Sequence, residues 1–351
     1  VYACCTSLPF AGGNDFSTAL GALILTLVFL LGVPGNLFII WSILARARRR
    51  SVTTILILNL ACADSFIMAL TLFFVVYLAK QTWVFGNVMC KVLFYLCNTN
   101  MYASIFLITL MSVHRLVAVV WPRKLRFLAT KKIVTRVILG LWVLVMIVAI
   151  PSLLFRKERE DKDERNKTRV VCAPEHDYVR FQYSLETVAG FILPYAVIVT
   201  SYVLILRRLR QTKFKRKVRS EKLILAIVVT FGVFWLPYHV INMVQVCDCI
   251  FACILSLENK FLWKSMYLPC RAVTSALAFI SSCANPVLYT FAGKSYIKQN
   301  GFAFMARLFE GTSLDQTGTR KGRSLASDTQ VGLRDMESTA STGKTVIHDG
   351  Q

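Results

Sequence analysis

Seven stretches of the chain are long, apolar and almost free of charge, and they lie at residues 16–45, 52–79, 92–113, 137–155, 181–206, 223–247 and 272–293. Five contain no Asp, Glu, Lys or Arg, and each of the other two contains one acid, Asp64 or Glu186. A helix needs roughly 20 apolar residues to cross a hydrocarbon core of about 30 Å. Buried helices of a soluble core would need a polar face, which these stretches lack. The pattern therefore predicts an all-α membrane protein, a seven-transmembrane helix bundle within residues 16–293.

Basic residues are concentrated in alternate connections between these helices. The connections at residues 46–50, 123–136 and 207–222 are rich in Lys and Arg and contain a single acid, Glu221. This asymmetry is the positive-inside signal, so these connections are predicted to be cytoplasmic and the N-terminal segment 1–15 extracellular. The net charge of +22 is then a topology signal that also favours contact with anionic membrane lipids. It does not indicate a nucleic-acid partner.

The chain after the seventh helix has two parts of different composition. Residues 294–310 combine aromatic and aliphatic residues with basic ones, which predicts a short amphipathic eighth helix on the inner membrane surface. Residues 311–351 are rich in Ser, Thr, Gly and charge and poor in large apolar residues. That composition predicts a disordered cytoplasmic tail.

The placement of the cysteines indicates an oxidising environment on the outer side. Eight of the eleven lie outside the spans or at their outer ends, and none lies in an inner connection or in the tail. Disulfides persist only in oxidising compartments, so we expect bridges among the outer set. The sequon that begins at Asn166 lies on the same side and is a predicted glycosylation site. The outer cysteines are Cys4, Cys5, Cys90, Cys172, Cys247, Cys249, Cys253 and Cys270.

Ionisable residues within the spans are few. They are Asp64, Glu186 and His239, with Arg115 near the inner end of the third span. Such groups are costly in a membrane and usually functional. A proton-coupled transporter would carry more of them and would show an internal repeat, which is not visible here. A lipid scramblase or transporter is therefore the less favoured class of function.

Short motifs follow one another in the spans along the chain. They are Gly35-Asn36, Leu60-Ala61-Cys62-Ala63-Asp64, Trp142, Pro194 with Tyr202, Phe234-Trp235-Leu236-Pro237 and Asn285-Pro286-Val287-Leu288-Tyr289. On these motifs the sequence resembles the rhodopsin-like (class A) G-protein-coupled receptors over about residues 19–309. The resemblance implies a plasma-membrane receptor rather than an enzyme, with a heterotrimeric G protein and arrestin as partners. It also implies a disulfide between Cys90 and Cys172.

The resemblance further implies a polar cluster in the middle of the bundle. In this family the positions of Asn36, Asp64, Ser104 and Asn285 surround an allosteric sodium ion in the inactive receptor. The sodium ion is the only non-protein group that we expect, and no metal cofactor or catalytic residue is predicted. A protonated, hydrogen-bonded structural acid is the alternative for Asp64, because a bare carboxylate cannot be buried without partners.

The inner end of the third span departs from the family pattern. Arg115 lies near the lipid–water boundary, where it can turn inward or bond to Tyr202 and Tyr289. The family motif Asp-Arg-Tyr is replaced here by His114-Arg115-Leu116, so the usual acidic restraint on Arg115 is missing. Two consequences remain open: raised basal activity, or a different contact that holds the inactive state.

Two positions exclude well-known ligand classes. Cys97 stands where amine receptors place an Asp, and Phe279 stands where opsins place the lysine that binds retinal. Five segments carry a second resemblance. They are Trp41-Ser42-Ile43-Leu44, Arg50-Ser51-Val52-Thr53, Met101-Tyr102-Ala103-Ser104, Phe234-Trp235-Leu236-Pro237-Tyr238-His239-Val240 and Leu308-Phe309-Glu310-Gly311-Thr312. In these segments the sequence resembles the leukotriene B4 receptors.

This second resemblance implies an anionic lipid ligand, a hydroxylated fatty acid such as leukotriene B4, and an inhibitory-class G protein in chemoattractant signalling. Arginine forms two parallel charge-assisted bonds to a carboxylate, which suits three arginines near the outer helix ends. Arginines that only extend to the membrane surface are the alternative. A chemoattractant-peptide receptor is the rival function, because a peptide's C-terminal carboxylate would suit the same side chains. The predicted ligand residues are Tyr102, Arg156, Arg180, Glu186, Trp235, His239 and Arg271.

Overall fold

The computed structural model describes residues 15–46, 51–123, 130–162, 168–175, 178–211, 218–255 and 270–288. Six helices within these ranges are long and apolar enough to cross a membrane, and residues 270–288 form the described part of a seventh. The predicted extracellular segment, the sequon at Asn166, the position of Tyr289, the eighth helix and the tail lie outside the described residues, apart from Asp15. Predictions about them stay predictions.

The helices follow one another in the order that hydropathy predicts. The fifth is interrupted by a π-helical turn, Val188–Ile192, which separates Val179–Thr187 from Leu193–Gln211; together we call these segments α5. The remaining helices are α1 (Asp15–Trp41, extended by a π-helical turn at Ser42–Arg46), α2 (Val52–Lys80), α3 (Gly86–Val120), α4 (Lys131–Phe155), α6 (Val218–Leu255) and α7 (270–288).

The outward faces of the helices carry large apolar side chains. Leu31, Leu139 and Val233 are 66%, 64% and 60% exposed, and many other leucines and valines are similarly placed. Apolar patches of this extent are unfavourable in water, so these faces are the surface that contacts lipid. Inside the bundle, buried apolar residues form one cluster in the inner half and another in the outer half.

A β-hairpin covers the outer end of the bundle between α4 and α5. Its strands, β1 (Arg156–Lys162) and β2 (Thr168–Pro174), are antiparallel, and Glu158 lies opposite Cys172. The hairpin is joined to α3 by a disulfide between Cys90 and Cys172, whose Cα atoms are 5.6 Å apart. This confirms the predicted bridge. The hairpin itself was not predicted, because β1 has no apolar alternation.

The connection between α2 and α3 supports the same hairpin. Its Trp83 backbone N–H donates to the carbonyl of Val170 on β2 at 2.8 Å, and the Trp83 indole N–H donates to the carbonyl of Gly86 at 3.0 Å. Gly86 has a φ of 76°, which most residues with a Cβ adopt only at a cost. Burial lowers the pKa of the Arg159 guanidinium, and Asp161 opposes that effect. The hairpin is therefore a fixed cover rather than a solvated loop.

The inner halves of α5 and α6 approach closely at a glycine. A Cβ added to Gly232 would lie 2.1 Å from the hydroxyl oxygen of Tyr195 and 2.7 Å from its Cζ. The same hydroxyl donates to the backbone carbonyl of Val228 at 3.1 Å. Tyr195 therefore occupies the space that a side chain at position 232 would need.

We predict that Gly232→Ala lowers the thermal unfolding midpoint of the detergent-solubilised protein, because overpacking costs about 1–3 kcal/mol. Tyr195→Leu should restore part of the loss in the double variant. The matched control is Gly140→Ala on α4, where an added Cβ meets nothing within 4 Å. That substitution should be neutral or stabilising by up to about 1 kcal/mol. Equal destabilisation by both alanine variants would contradict the close contact.

Candidate functional site

A cavity lies beneath the hairpin in the outer half of the bundle, and its interior together with its opening to solvent amounts to about 770 Å³. The end of the hairpin (Cys172, Ala173 and Pro174) forms part of its wall. Its lining is mainly apolar and aromatic, with a small number of polar groups, which is the usual composition of a small-molecule site. Further lining residues are Ile67, Phe74, Phe94, Cys97, Asn98, Asn100, Arg156, Tyr183, Trp235, Tyr238, Arg271, Ser275, Ala278, Phe279 and Ser282.

Two of the three predicted arginines line this cavity. Arg271 is 4% exposed, and one guanidinium nitrogen donates to Asn242 Oδ1 at 3.0 Å and to Gln245 Oε1 at 2.7 Å. Arg156 is 5% exposed, and its guanidinium lies 3.8 Å from the centre of the Phe94 ring. The amide oxygens of Asn242 and Gln245 orient Arg271. Both cations are therefore held, desolvated, against the space where a ligand would sit.

Arg180, the third predicted arginine, has a different location. It lies in the first turn of α5, its side chain is exposed, and it does not line the cavity. The structure thus brings Arg156 and Arg271 together at one cavity and leaves Arg180 on the outer surface of the bundle. A ligand role for Arg180 stays a prediction.

Glu186 is the centre of a polar network behind the cavity wall. It is 1% exposed, and one carboxylate oxygen accepts hydrogen bonds from Asn98 at 2.8 Å and Gln182 at 2.9 Å. The other oxygen accepts from Tyr238 at 2.9 Å and Asn242 at 3.5 Å. Hydrogen bonds of this kind to an ionised carboxylate offset the cost of burying it. Glu186 therefore fixes α3 and α6 against α5.

Of the remaining predicted ligand residues, one lines the cavity and two do not. Trp235 lines the cavity and donates from its indole nitrogen to Ser281 Oγ at 2.9 Å. His239 is buried, with Nδ1 3.3 Å from Thr187 Oγ1 and its ring stacked on Phe191. Tyr102 is buried beside the π-helical turn of α5. His239 and Tyr102 do not line the cavity, so any effect on a ligand would pass through neighbouring groups.

Several functional candidates were missed at the sequence level. Asn242 contacts both Glu186 and Arg271, and so connects the buried acid to the buried base. Tyr238, Asn242 and Gln245 follow one another at helical spacings of four and three on one face of α6. That periodicity of polar residues in an apolar span was a usable signal. Asn98 was missed because its contact with Glu186 forms only when α3 packs against α5.

The predicted ion cluster around Asp64 is assembled in part. Asp64 is fully buried, and Asn285 Nδ2 donates to its Oδ2 at 2.8 Å. Asn36 Nδ2 donates to the carbonyls of Gly32 at 3.0 Å and Ser282 at 3.2 Å. The Ser104 and Ser282 hydroxyls also interact with the Asp64 carboxyl group. Asn36 Oδ1 has no hydrogen-bond partner among the described residues. A carboxylate grouped with amide and hydroxyl oxygens suits a small cation.

The inner switch residues are only partly described. Arg115 is half-buried at the inner end of α3, and Tyr202 is buried on α5. Both ring nitrogens of His114 are buried without a hydrogen-bond partner in the described part of the chain. The structure therefore leaves both consequences of the His114 replacement open.

The match to a known family decides the class of this protein. Residues 35–289 match the model of the 7 transmembrane receptor (rhodopsin family). The chain belongs to this family. It is a multi-pass plasma-membrane receptor of class A, which couples to a G protein and is not an enzyme, as predicted. The seven-helix bundle is likewise confirmed.

Named relatives of the receptor are similar over most of its length. It is 38% identical over 337 residues to leukotriene B4 receptor 1 of Homo sapiens, covering 95% of this chain and 93% of the relative. It is 35% identical to leukotriene B4 receptor 2 of Homo sapiens, with 87% and 84% covered. It is 33% identical to C5a anaphylatoxin chemotactic receptor 1 of Oryctolagus cuniculus, with 80% and 78% covered.

The network predicts that Glu186→Gln destabilises the receptor although it is nearly isosteric. One acceptor oxygen becomes an NH₂ group that faces existing donors, and leaving buried donors unsatisfied costs about 1–3 kcal/mol. The thermal unfolding midpoint should fall by several degrees. The matched control is Glu175→Gln, which removes only the surface ion pair with Lys157 and should change the midpoint by less than about one degree. Equal midpoints for the two variants would argue against a structural role for the Glu186 carboxylate.

Proposed function

We propose that this receptor binds an anionic lipid mediator, leukotriene B4, in the cavity beneath the hairpin and activates inhibitory-class heterotrimeric G proteins in chemoattractant signalling. The observation that carries the proposal is the pair of buried guanidinium groups, Arg156 and Arg271, at an otherwise mainly apolar cavity. The names of the relatives in both leukotriene B4 receptor groups support the ligand class.

The chemistry of the cavity suits an amphiphile with one negative end. Interactions between charges are stronger in a low-dielectric interior than in water, so a carboxylate is favoured near the two guanidinium groups. An arginine also binds a carboxylate through two parallel bonds. The apolar residues Ile67, Phe74 and Phe279 then provide the environment for an acyl chain. A neutral ligand would gain no charge-assisted bond from either arginine, and a cationic ligand would be repelled by both.

A chemoattractant-peptide ligand is the second candidate. The similarity to C5a anaphylatoxin chemotactic receptor 1 supports it, and a peptide's terminal carboxylate would meet the same two arginines. The two candidates differ in the rest of the ligand. A fatty acid needs only the enclosed apolar cavity, whereas a peptide also needs polar contacts along the hairpin. G-protein activation by a panel of leukotrienes and chemotactic peptides separates them.

The sidedness of the receptor is part of the same proposal. The basic connections between spans support a cytoplasmic location for the ends of the helices opposite the hairpin. A disulfide between α3 and the hairpin is consistent with an extracellular location for the cavity mouth. We therefore place the N-terminus outside the cell and the G-protein and arrestin surfaces inside.

We also propose an allosteric sodium ion at Asp64. Asp64 would supply the negative charge, and Asn36, Ser104 and Asn285 would supply neutral ligands or orient the carboxylate. The buried carboxylate of Asp64 and the unpartnered Asn36 Oδ1 support the proposal, because carboxylate and amide oxygens are hard ligands that suit a small cation. Bound sodium would favour the conformation in which these oxygens are close together.

Asp64→Asn should abolish the inhibition of agonist binding by sodium, because the ion loses its only full negative ligand. The measurement is agonist competition binding in membranes with sodium chloride, and with potassium chloride at equal ionic strength as the control. Unchanged sodium sensitivity in the variant would mean that the cluster is structural.

Arg271→Ala should weaken leukotriene B4 binding about ten- to a hundredfold, the equivalent of a charge-assisted hydrogen bond worth about 1.5–3 kcal/mol. Arg271→Lys should recover part of the loss, because it keeps the charge but not the paired geometry. Surface expression, measured by flow cytometry, should stay near that of the wild type.

The matched comparison is Arg180→Ala, which removes an arginine at a similar depth that does not line the cavity. We expect less than a threefold change for this variant, which electrostatic effects at an exposed site would explain. An Arg271→Ala variant with wild-type affinity would contradict the proposed anchor.

A further inference from the structure

Serine and threonine hydroxyls in the helices of this receptor commonly donate a hydrogen bond to a backbone carbonyl of the same helix. Ser65, Ser112 and Ser201 each donate to the backbone carbonyl four residues earlier, at 2.8, 3.0 and 2.8 Å. Threonines in the same helices follow the same rule, as Thr99 and Thr109 show. This local bond is the ordinary solution for a serine or threonine in an apolar helix.

Ser275 on α7 lacks this local bond, as Ser42 and Ser104 do, but of these three serines it alone lines the cavity. It is 5% exposed, and its hydroxyl has no hydrogen-bond partner in the described part of the receptor. The carbonyl of Arg271, four residues earlier, instead accepts a hydrogen bond from Thr274 Oγ1 at 3.3 Å. A buried hydroxyl without a partner costs roughly 1–3 kcal/mol. The position is therefore one where a bound group would recover free energy.

The location of Ser275 defines what that group would be. Ser275 lines the same cavity as Arg271 and lies one helical turn deeper along α7, with about 5–6 Å expected between the two Cβ atoms. Phe279, one further turn inward, also lines the cavity. Along the cavity, the wall formed by α7 therefore contains a cationic residue, then a hydroxyl-bearing residue, then an aromatic residue.

We propose that Ser275 is a specificity residue, whose hydroxyl binds the ligand hydroxyl nearer to the carboxylate of a hydroxylated fatty acid. This inference rests on the proposed function, because it assumes that Arg271 receives the carboxylate. It adds that the receptor distinguishes the position of the hydroxyl along the chain. A site built to pair with a hydroxyl discriminates strongly against an analogue that lacks it, since the protein group is then left unpaired.

The test combines Ser275→Ala with three ligands: leukotriene B4, the analogue without the hydroxyl nearer to the carboxylate, and the analogue without the more distant hydroxyl. Competition binding to the full-length receptor in membranes is the measurement. Ser275→Ala should weaken leukotriene B4 and the distal-deoxy analogue about five- to tenfold. It should change the proximal-deoxy analogue less than twofold, because the partner is already missing.

Two further variants complete the design. Ser275→Thr keeps the hydroxyl and should recover most of the affinity for leukotriene B4. Ser201→Ala removes a hydroxyl that is already bonded to the carbonyl of Val197, far from the cavity, and should not change the affinity for any of the three ligands. Equal losses for all three ligands in Ser275→Ala, a loss specific to the distal hydroxyl, or no loss would each overturn the inference.

The result for Arg271 separates this inference from the proposed function. If Arg271→Ala loses affinity while Ser275→Ala shows no dependence on the proximal hydroxyl, the anchor stands and only the specificity role is wrong. If the wild-type receptor binds none of the three lipids, or Arg271→Ala binds them normally, the proposed function and the inference are both wrong.

Discussion

The burial of two opposite charges, Glu186 and Arg271, constrains the outer half of this receptor more than any other feature. The two side chains are 1% and 4% exposed and are connected through the amide of Asn242. Neutral amides contact both groups, and Glu186 also accepts a hydrogen bond from Tyr238. Amides and hydroxyls from α3, α5 and α6 must therefore keep their positions, because losing one leaves a charge in a low-dielectric interior.

The consequence for function is a rigid site with a positive end. The polar network holds α3, α5 and α6 around the cavity, and the disulfide to Cys172 holds the hairpin over its mouth. Arg156 adds a second cation at the point where α4 passes into the hairpin. Because these groups are positioned by the fold and not by the ligand, an anionic ligand meets a site that is already oriented, which reduces the entropic cost of binding.

The sequence determines some of this arrangement directly and leaves other parts to tertiary packing. The spans follow from uninterrupted apolar runs, and the Cys90–Cys172 bridge and the Asp64–Asn285 contact follow the family resemblance. The sequence places Arg180 near the outer end of its helix, but it does not determine whether the side chain faces the cavity or the outer surface of the bundle. In the π-helical turn at Val188–Ile192 the backbone hydrogen bonds join residues five apart rather than four apart. This turn rotates the outer part of α5 relative to an ideal α-helix. The hairpin and the contacts of Asn98 could not be predicted either, because charge-rich strands and isolated amides carry no periodic signal.

We propose that a carboxylate held by buried arginines provides the main polar contribution to ligand affinity. Competition binding of leukotriene B4 and of its uncharged carboxamide to the wild-type receptor in membranes tests this most directly, since the two ligands differ only at the carboxyl group. The carboxamide should bind at least about tenfold more weakly, because it offers the guanidinium groups no charge. Equal affinities of the acid and the amide would contradict the role of the arginines.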